Sequence, residues 1–145
     1  MSFAEIPNRL RFFIHPIPLG AIFIMALNDH WLKFQFGNFL TGKISDFCGV
    51  FYFPIFLLAL IALVDEVFRL QRFRLGPKSA MGAIVFTDLL MFIVKLSGVG
   101  VHSIEIFFKS YLFPIQLISD PTDLFSLVMN PLTFYYLKSF WTDSK

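Results

Sequence analysis

Asp29, Lys33, Lys43, Asp46, Asp88, Lys95, Asp120 and Asp123 are the residues whose types and placement offer chemistry in an otherwise apolar chain. All but Asp88 fall in four polar clusters. Asn28, Asp29, His30 and Lys33 close one apolar run, and Thr41, Lys43, Ser45 and Asp46 open the next. Lys95 and Ser97 close a third run, and Asp120, Thr122 and Asp123 open a fourth. Lysines and helix N-termini hold anionic groups, while carboxylates beside them orient the lysines or take protons. The same carboxylates, with His30, supply ligand types for a divalent cation. No compact spacing such as His-x-x-x-His supports a metal, so none is expected, and no cofactor is expected either. There is no Gly-x-Ser-x-Gly elbow, Walker loop or paired-histidine zinc motif. That lowers the expectation of an enzyme without removing it. The eight residues are therefore read as a candidate ligand-binding set, with no catalytic residue assigned.

The elements that must position them are membrane-spanning helices. The 145 residues are 57% hydrophobic and 15% charged, against roughly 45–50% and about 25% in soluble domains. This composition excludes a disordered chain, a disulfide-stapled secreted domain and a nucleic-acid module. Cys48 is the single cysteine, and a net charge of +2 is too small to imply a polyanion partner. A spanning helix needs about 20 mostly apolar residues, and four stretches are predicted to cross: 12–31, 47–64, 79–97 and 120–141. The second is the clearest, free of charge and ending against Asp65 and Glu66. The third carries Asp88 near its middle. The fourth is weakest by hydropathy, but Asp120 suits a cap, Pro121 the first helical position and Asp123 the carboxylate of a capping box. Arg9 and Arg11 precede an apolar run as in a signal peptide. Leu27, Asn28 and Asp29 make no small-x-small cleavage site, so 12–31 is read as a retained helix. The expected fold is an all-α, four-helix transmembrane bundle in a single domain, 1–145. Within 98–119, Ile104, Phe107, Phe108, Tyr111, Leu112 and Ile115 share one helical face, and Glu105 and Lys109 lie four apart on another. That is the pattern of a helix in the headgroup plane; the alternative is a longer, tilted third helix.

Four spans place the N-terminus, the second loop and the C-terminus on one side. That side carries Arg9, Arg11, Arg69, Arg72, Arg74, Lys78, Lys138 and Lys145, eight of the twelve basic residues. Lys and Arg resist translocation, so it is expected to be cytoplasmic, with Arg69, Arg72 and Arg74 as topology anchors. The four polar clusters then share the periplasmic face. Asp88 at helix centre is costly to insert and is expected to face other helices. Lys95, seven residues on, extends its stripe, and Asp123, Ser126 and Asn130 form a matching stripe on the fourth helix. The two stripes line a hydrated cavity or merely join helices three and four. His15 and Cys48 are read as packing residues.

The motifs NDHWLK from Asn28, TGKISDFCG from Thr41 and DPTDL from Asp120 resemble those of a family of small bacterial polytopic inner-membrane proteins without an assigned activity. That resemblance implies a bacterial inner-membrane protein. A weaker similarity is to the VanZ-like family of four-helix envelope proteins linked to glycopeptide tolerance, matched loosely by Asp46, Asp123 and Asn130. The chain lacks that family's Glu-x-x-Gln in helix three and Arg before helix four.

The resulting expectation is an inner-membrane protein with both termini cytoplasmic and a periplasmic polar pocket. Its partners are the bilayer and an anionic envelope component such as a lipid headgroup or lipid-linked phosphate. Asp46, Lys43, Asp123 and Lys95 are expected to line the pocket, supported by Asp29 and Asp88. A membrane enzyme using an Asp as general base, a structural subunit and an oligomeric transporter are the rival readings. The sequence leaves the oligomeric state open.

Overall fold

The structure, a computed structural model, describes residues 10–70, 72–96 and 121–141, with 94–96 and Pro121 described by their backbone alone. Every regular element among the described residues is helical. The expected interfacial helix at 98–119 and Asp120 lie outside the described residues.

The first expected span is segmented. α1 (Arg11–Ile14) stops at His15, whose backbone is extended, and α2 (Pro16–Leu27) begins at the next residue. A residue before proline is pushed out of the helical region, and proline suits the first helical position. The His15 ring accepts from the Ile17 N–H at 3.4 Å. After α2 the chain widens into a π-helical turn, Asn28–Leu32, then continues as α3 (Lys33–Phe36). α3 ends at Gly37, whose φ of +39° is the left-handed conformation that glycine adopts after a helix. The unbroken helix expected at 12–31 is thus corrected to two α-helical segments and a π-turn.

α4 (Phe39–Val67) begins eight residues before the predicted 47. Its start is set by Asn38, which accepts from the Thr41 N–H at 3.0 Å while the Thr41 hydroxyl accepts from the Asn38 N–H at 3.2 Å. This reciprocal pair is a capping box. Thr41, Lys43, Ser45 and Asp46 were expected to lie before the helix at 47; Thr41 is instead its third residue and part of its cap, and Lys43, Ser45 and Asp46 lie within it. α5 (Pro77–Leu96) matches its prediction closely. The fourth expected helix splits. A 3-10 segment (Pro121–Met129) precedes α6 (Asn130–Lys138). Pro131 marks the switch, because it has no N–H to donate to the preceding turn.

α4 is the central element and packs against α2, α5, the 3-10 segment and α6; α6 also packs against α5. The core gathers Phe12, Phe51, Ile55, Leu58 and Leu137, with the small residues Ala59, Ala80 and Ala83. The Tyr136 hydroxyl donates to the Phe12 carbonyl at 2.6 Å, and the His15 ring rests against those of Tyr136 and Phe140. An apolar core is combined with a largely apolar surface. Among the described residues twelve hydrophobic ones are buried, whereas 28 large hydrophobic ones are exposed. Eight polar or charged residues are buried among the described residues. Among the described residues one helix, α4, is long and apolar enough to cross a membrane, with a mean hydropathy of 2.6 and 39% of its apolar window buried.

Candidate ligand-binding site

The π-turn after α2 sets the first polar junction. Asn28 is fully buried, and its amide donates to the Thr41 carbonyl at 2.6 Å and the Ser45 hydroxyl at 2.8 Å. Its side-chain oxygen is buried with no hydrogen-bond partner among the described residues. The Ser45 hydroxyl in turn donates to Asp29 Oδ1 at 2.6 Å. Lys33 Nζ donates to that same oxygen, also at 2.6 Å. Asp29 and Lys33 remain 41% exposed, so they form the water-accessible rim of a network whose base is buried.

The second junction lies on the side of α4 that faces the 3-10 segment. Lys43 is buried there, where its ammonium donates to Asp123 and to the Thr122 hydroxyl and lies 5.1 Å from the Phe39 ring centre. Asp123 is buried as well. A charge held this far from water needs a close partner and further hydrogen bonds. Lys43 has an acid, a hydroxyl and an aromatic face. Asp123, expected as a capping carboxylate, pairs with this lysine, which lies 80 residues away in sequence.

Asp88 forms the third junction. Both its carboxylate oxygens accept from the Asn130 amide, at 3.0 and 2.9 Å, so it faces the bundle. This pair joins the two stripes read from the sequence. The Asn130 side-chain oxygen is buried without a partner among the described residues.

Asp46 lines a cleft of about 190 Å³ between α4 and α5. Ser45 and Asp46 form one polar end of it, Val50, Phe53, Leu90 and Met91 are its apolar walls, and Thr87 adds a hydroxyl. That hydroxyl donates to the Ala83 carbonyl within its own helix at 2.8 Å. Gly49 also lines the cleft, and a Cβ built there would meet nothing within 4 Å. Space that a side chain would fill is open at this point.

The expected residues are therefore distributed around the first turns of α4. Asp29 and Lys33 come together on the α2 side, Lys43 and Asp123 on the 3-10 side, and Asp46 borders the α5 side. Asp88 sits deeper, with Asn130. The Lys95 side chain and Asp120 lie outside the described residues. Sequence reasoning missed Ser45 as the junction between rim and cleft, and it missed Thr87 altogether. Ser45 stood inside a polar cluster, which was the available signal. Thr87 beside Asp88 gave none beyond its polarity. Among the described residues no group of three or more His, Cys, Asp or Glu side chains is arranged to hold a metal ion. The chain matches no protein-family model, no curated protein and no solved structure.

Proposed function

We propose that the protein is a four-helix inner-membrane protein with cytoplasmic termini that binds an anionic amphiphile, a lipid or lipid-linked phosphate, at the periplasmic end of the α4–α5 cleft. The observation that carries this reading is the amphipathic construction of that cleft. Its polar end, Ser45 and Asp46, is tied through Asp29 to the exposed Lys33, while its walls are apolar. Depth supports it. The 18 uncharged residues of 47–64 rise about 27 Å as a helix, close to the roughly 30 Å hydrocarbon thickness of a bilayer. Asp46 then sits at one hydrocarbon boundary and Asp65 at the other. The exposed Phe23, Phe56, Leu60, Phe86, Leu89 and Phe92 are spread over α2, α4 and α5. Exposed large apolar side chains on three helices suit contact with lipid tails. Lys33 is the accessible cation for the anionic group, and Asp29 orients it. An acyl chain fits the apolar walls below.

One observation favours a second reading, a structural subunit. Lys43 is already satisfied by Asp123 and Thr122, as interhelical glue would be. Native mass spectrometry of the detergent-purified protein separates the two. Retained lipid that is lost in Gly49→Leu, with the thermal midpoint unchanged, is the expected result. A wild-type protein that carries no lipid, or carries as much as Gly49→Leu, leaves the structural reading in place. Orientation is checked in a Cys48→Ser background. A cysteine at Gln35 should react with an impermeant thiol reagent in intact cells, and one at Lys78 should not.

A further inference from the structure

The opposite end of α4 holds a second cavity that topology anchoring does not require. Asp65 is only 4% exposed, and its Oδ1 accepts the backbone N–H groups of Arg72 at 2.8 Å and Phe73 at 3.0 Å. Its carbonyl accepts the Leu70 N–H at 3.0 Å, after Arg69 has turned the chain with a φ of +52°. The Ser79 hydroxyl accepts from the Gly76 N–H at 2.9 Å and lies 3.1 Å from the Arg74 carbonyl, to which it donates. These bonds hold Leu70 and residues 72–79 over the helix end as a cradle. Beneath it lies a cavity of about 560 Å³, within the range of small-molecule sites.

The lining of this cavity is divided by chemistry. Leu60, Ile61, Val64 and Phe73 make an apolar floor, and Arg72 and Arg74 stand on its edge. Both arginines are exposed. Between 65 and 79 the chain carries four basic residues, Arg69, Arg72, Arg74 and Lys78, against Asp65 and Glu66. Asp65 also borders the cavity, where its carboxylate accepts backbone N–H groups of the connection, and the two arginines outnumber this one acid on the lining. The N-terminal end of the 20-residue α5 adds the positive end of its dipole.

We infer that this cradle binds an anionic phospholipid of the cytoplasmic leaflet, its phosphate on Arg72 and Arg74 and an acyl chain over Leu60, Ile61 and Val64. The inference rests on the membrane reading above but concerns the other end of the molecule. Two guanidiniums supply charge-assisted, paired hydrogen bonds to a phosphate. The floor lies where 47–64 ends, so an acyl chain enters hydrocarbon directly below the headgroup. Basic pockets between helices on the cytoplasmic side are suited to anionic headgroups, and that leaflet supplies them. A free phosphate would leave the apolar floor unused.

The test is native mass spectrometry of the whole protein equilibrated in mixed micelles with equal phosphatidylglycerol and phosphatidylethanolamine. Wild type should retain phosphatidylglycerol in preference. Arg72→Gln with Arg74→Gln should lower retention at this end by about fivefold for each arginine, while Gly49→Leu should remove a separate lipid from the α4–α5 cleft, so that the losses in the two sets of variants add. Ile61→Trp, which fills the floor, should displace the lipid with both arginines present, and it serves if the double variant does not fold. Equal retention of the two lipids, no lipid on the wild type, or no change in the arginine and Ile61→Trp variants would overturn the inference. So would inorganic phosphate raising the thermal midpoint as much as phosphatidylglycerol does. Loss in Gly49→Leu alone would place the lipid in the α4–α5 cleft, sinking this inference while sparing the proposed function. Loss in the arginine variants alone would do the reverse.

Discussion

Lys43 with Asp123 and Lys33 with Asp29 are the same chemical pair in two settings. The side chains of the first pair are 8% and 9% exposed, and those of the second are 41% each. The first links residues 80 apart and fixes the 3-10 segment to α4; the second spans one turn. The difference separates a contact that holds two elements together from one that stays open to water. A buried pair is not intrinsically worth more than well-packed apolar side chains, but removing one partner strands a charge in a poor solvent. An exposed pair adds little to stability, and water or an incoming anion exchanges with it readily.

The largest expected effect is on the buried pair. Asp123→Ala should destabilise the protein by about 3–5 kcal/mol, seen as a drop in the thermal midpoint in detergent. Lys43→Met with Asp123→Leu should restore most of that loss, since no charge is then left behind. A double variant as unstable as the single one would show that the pair has a further dependent, and the comparison would break.

Asn28 is next. It has no exposure and two donated hydrogen bonds, so Asn28→Ala should cost about 1–3 kcal/mol. It also supports Ser45, and through Ser45 the rim, so lipid retention should fall with stability. Asp88 sharpens the scale between the two pairs. Asp88→Asn keeps an acceptor for Asn130 and should lie within about 1 kcal/mol of wild type. Asp88→Leu removes the acceptor and should cost more, as read from thermal midpoints measured side by side. The smallest effect is expected at the rim. Lys33→Ala should change stability by about 0.3–0.5 kcal/mol at low salt, and by less at high salt. Its lipid retention should nevertheless drop, and a variant retaining lipid normally would remove Lys33 from the site.

Helix positions were legible in the sequence where apolar runs were long. The run 47–64 lies inside α4, and 79–97 nearly coincides with α5. Ends were less legible. Asn38 starts α4 with Thr41, whereas the sequence places the start at 47 because charged side chains usually mark the end of a spanning run. Here Lys43 is tolerated inside because Asp123 meets it from another element. The breaks within the first and fourth expected spans were not legible for a local reason. Hydropathy averages over the effects of Pro16 and Pro131, which act on single backbone positions. The exposed rim was half legible, since Asp29 and Lys33 are four apart.

By itself the sequence determined that the chain is helical and strongly apolar, where its longest apolar run lies, and which polar residues interrupt the runs. Those properties follow from side-chain transfer energies and local spacing, which need no knowledge of neighbours. Only the tertiary structure decided that Lys43 pairs with Asp123, that Asp88 meets Asn130, and that Ser45 joins the rim to the α4–α5 cleft. Each depends on which faces of separate helices meet. That is fixed by packing around Phe51, Ile55, Leu58 and the small alanines, across separations that no local pattern records.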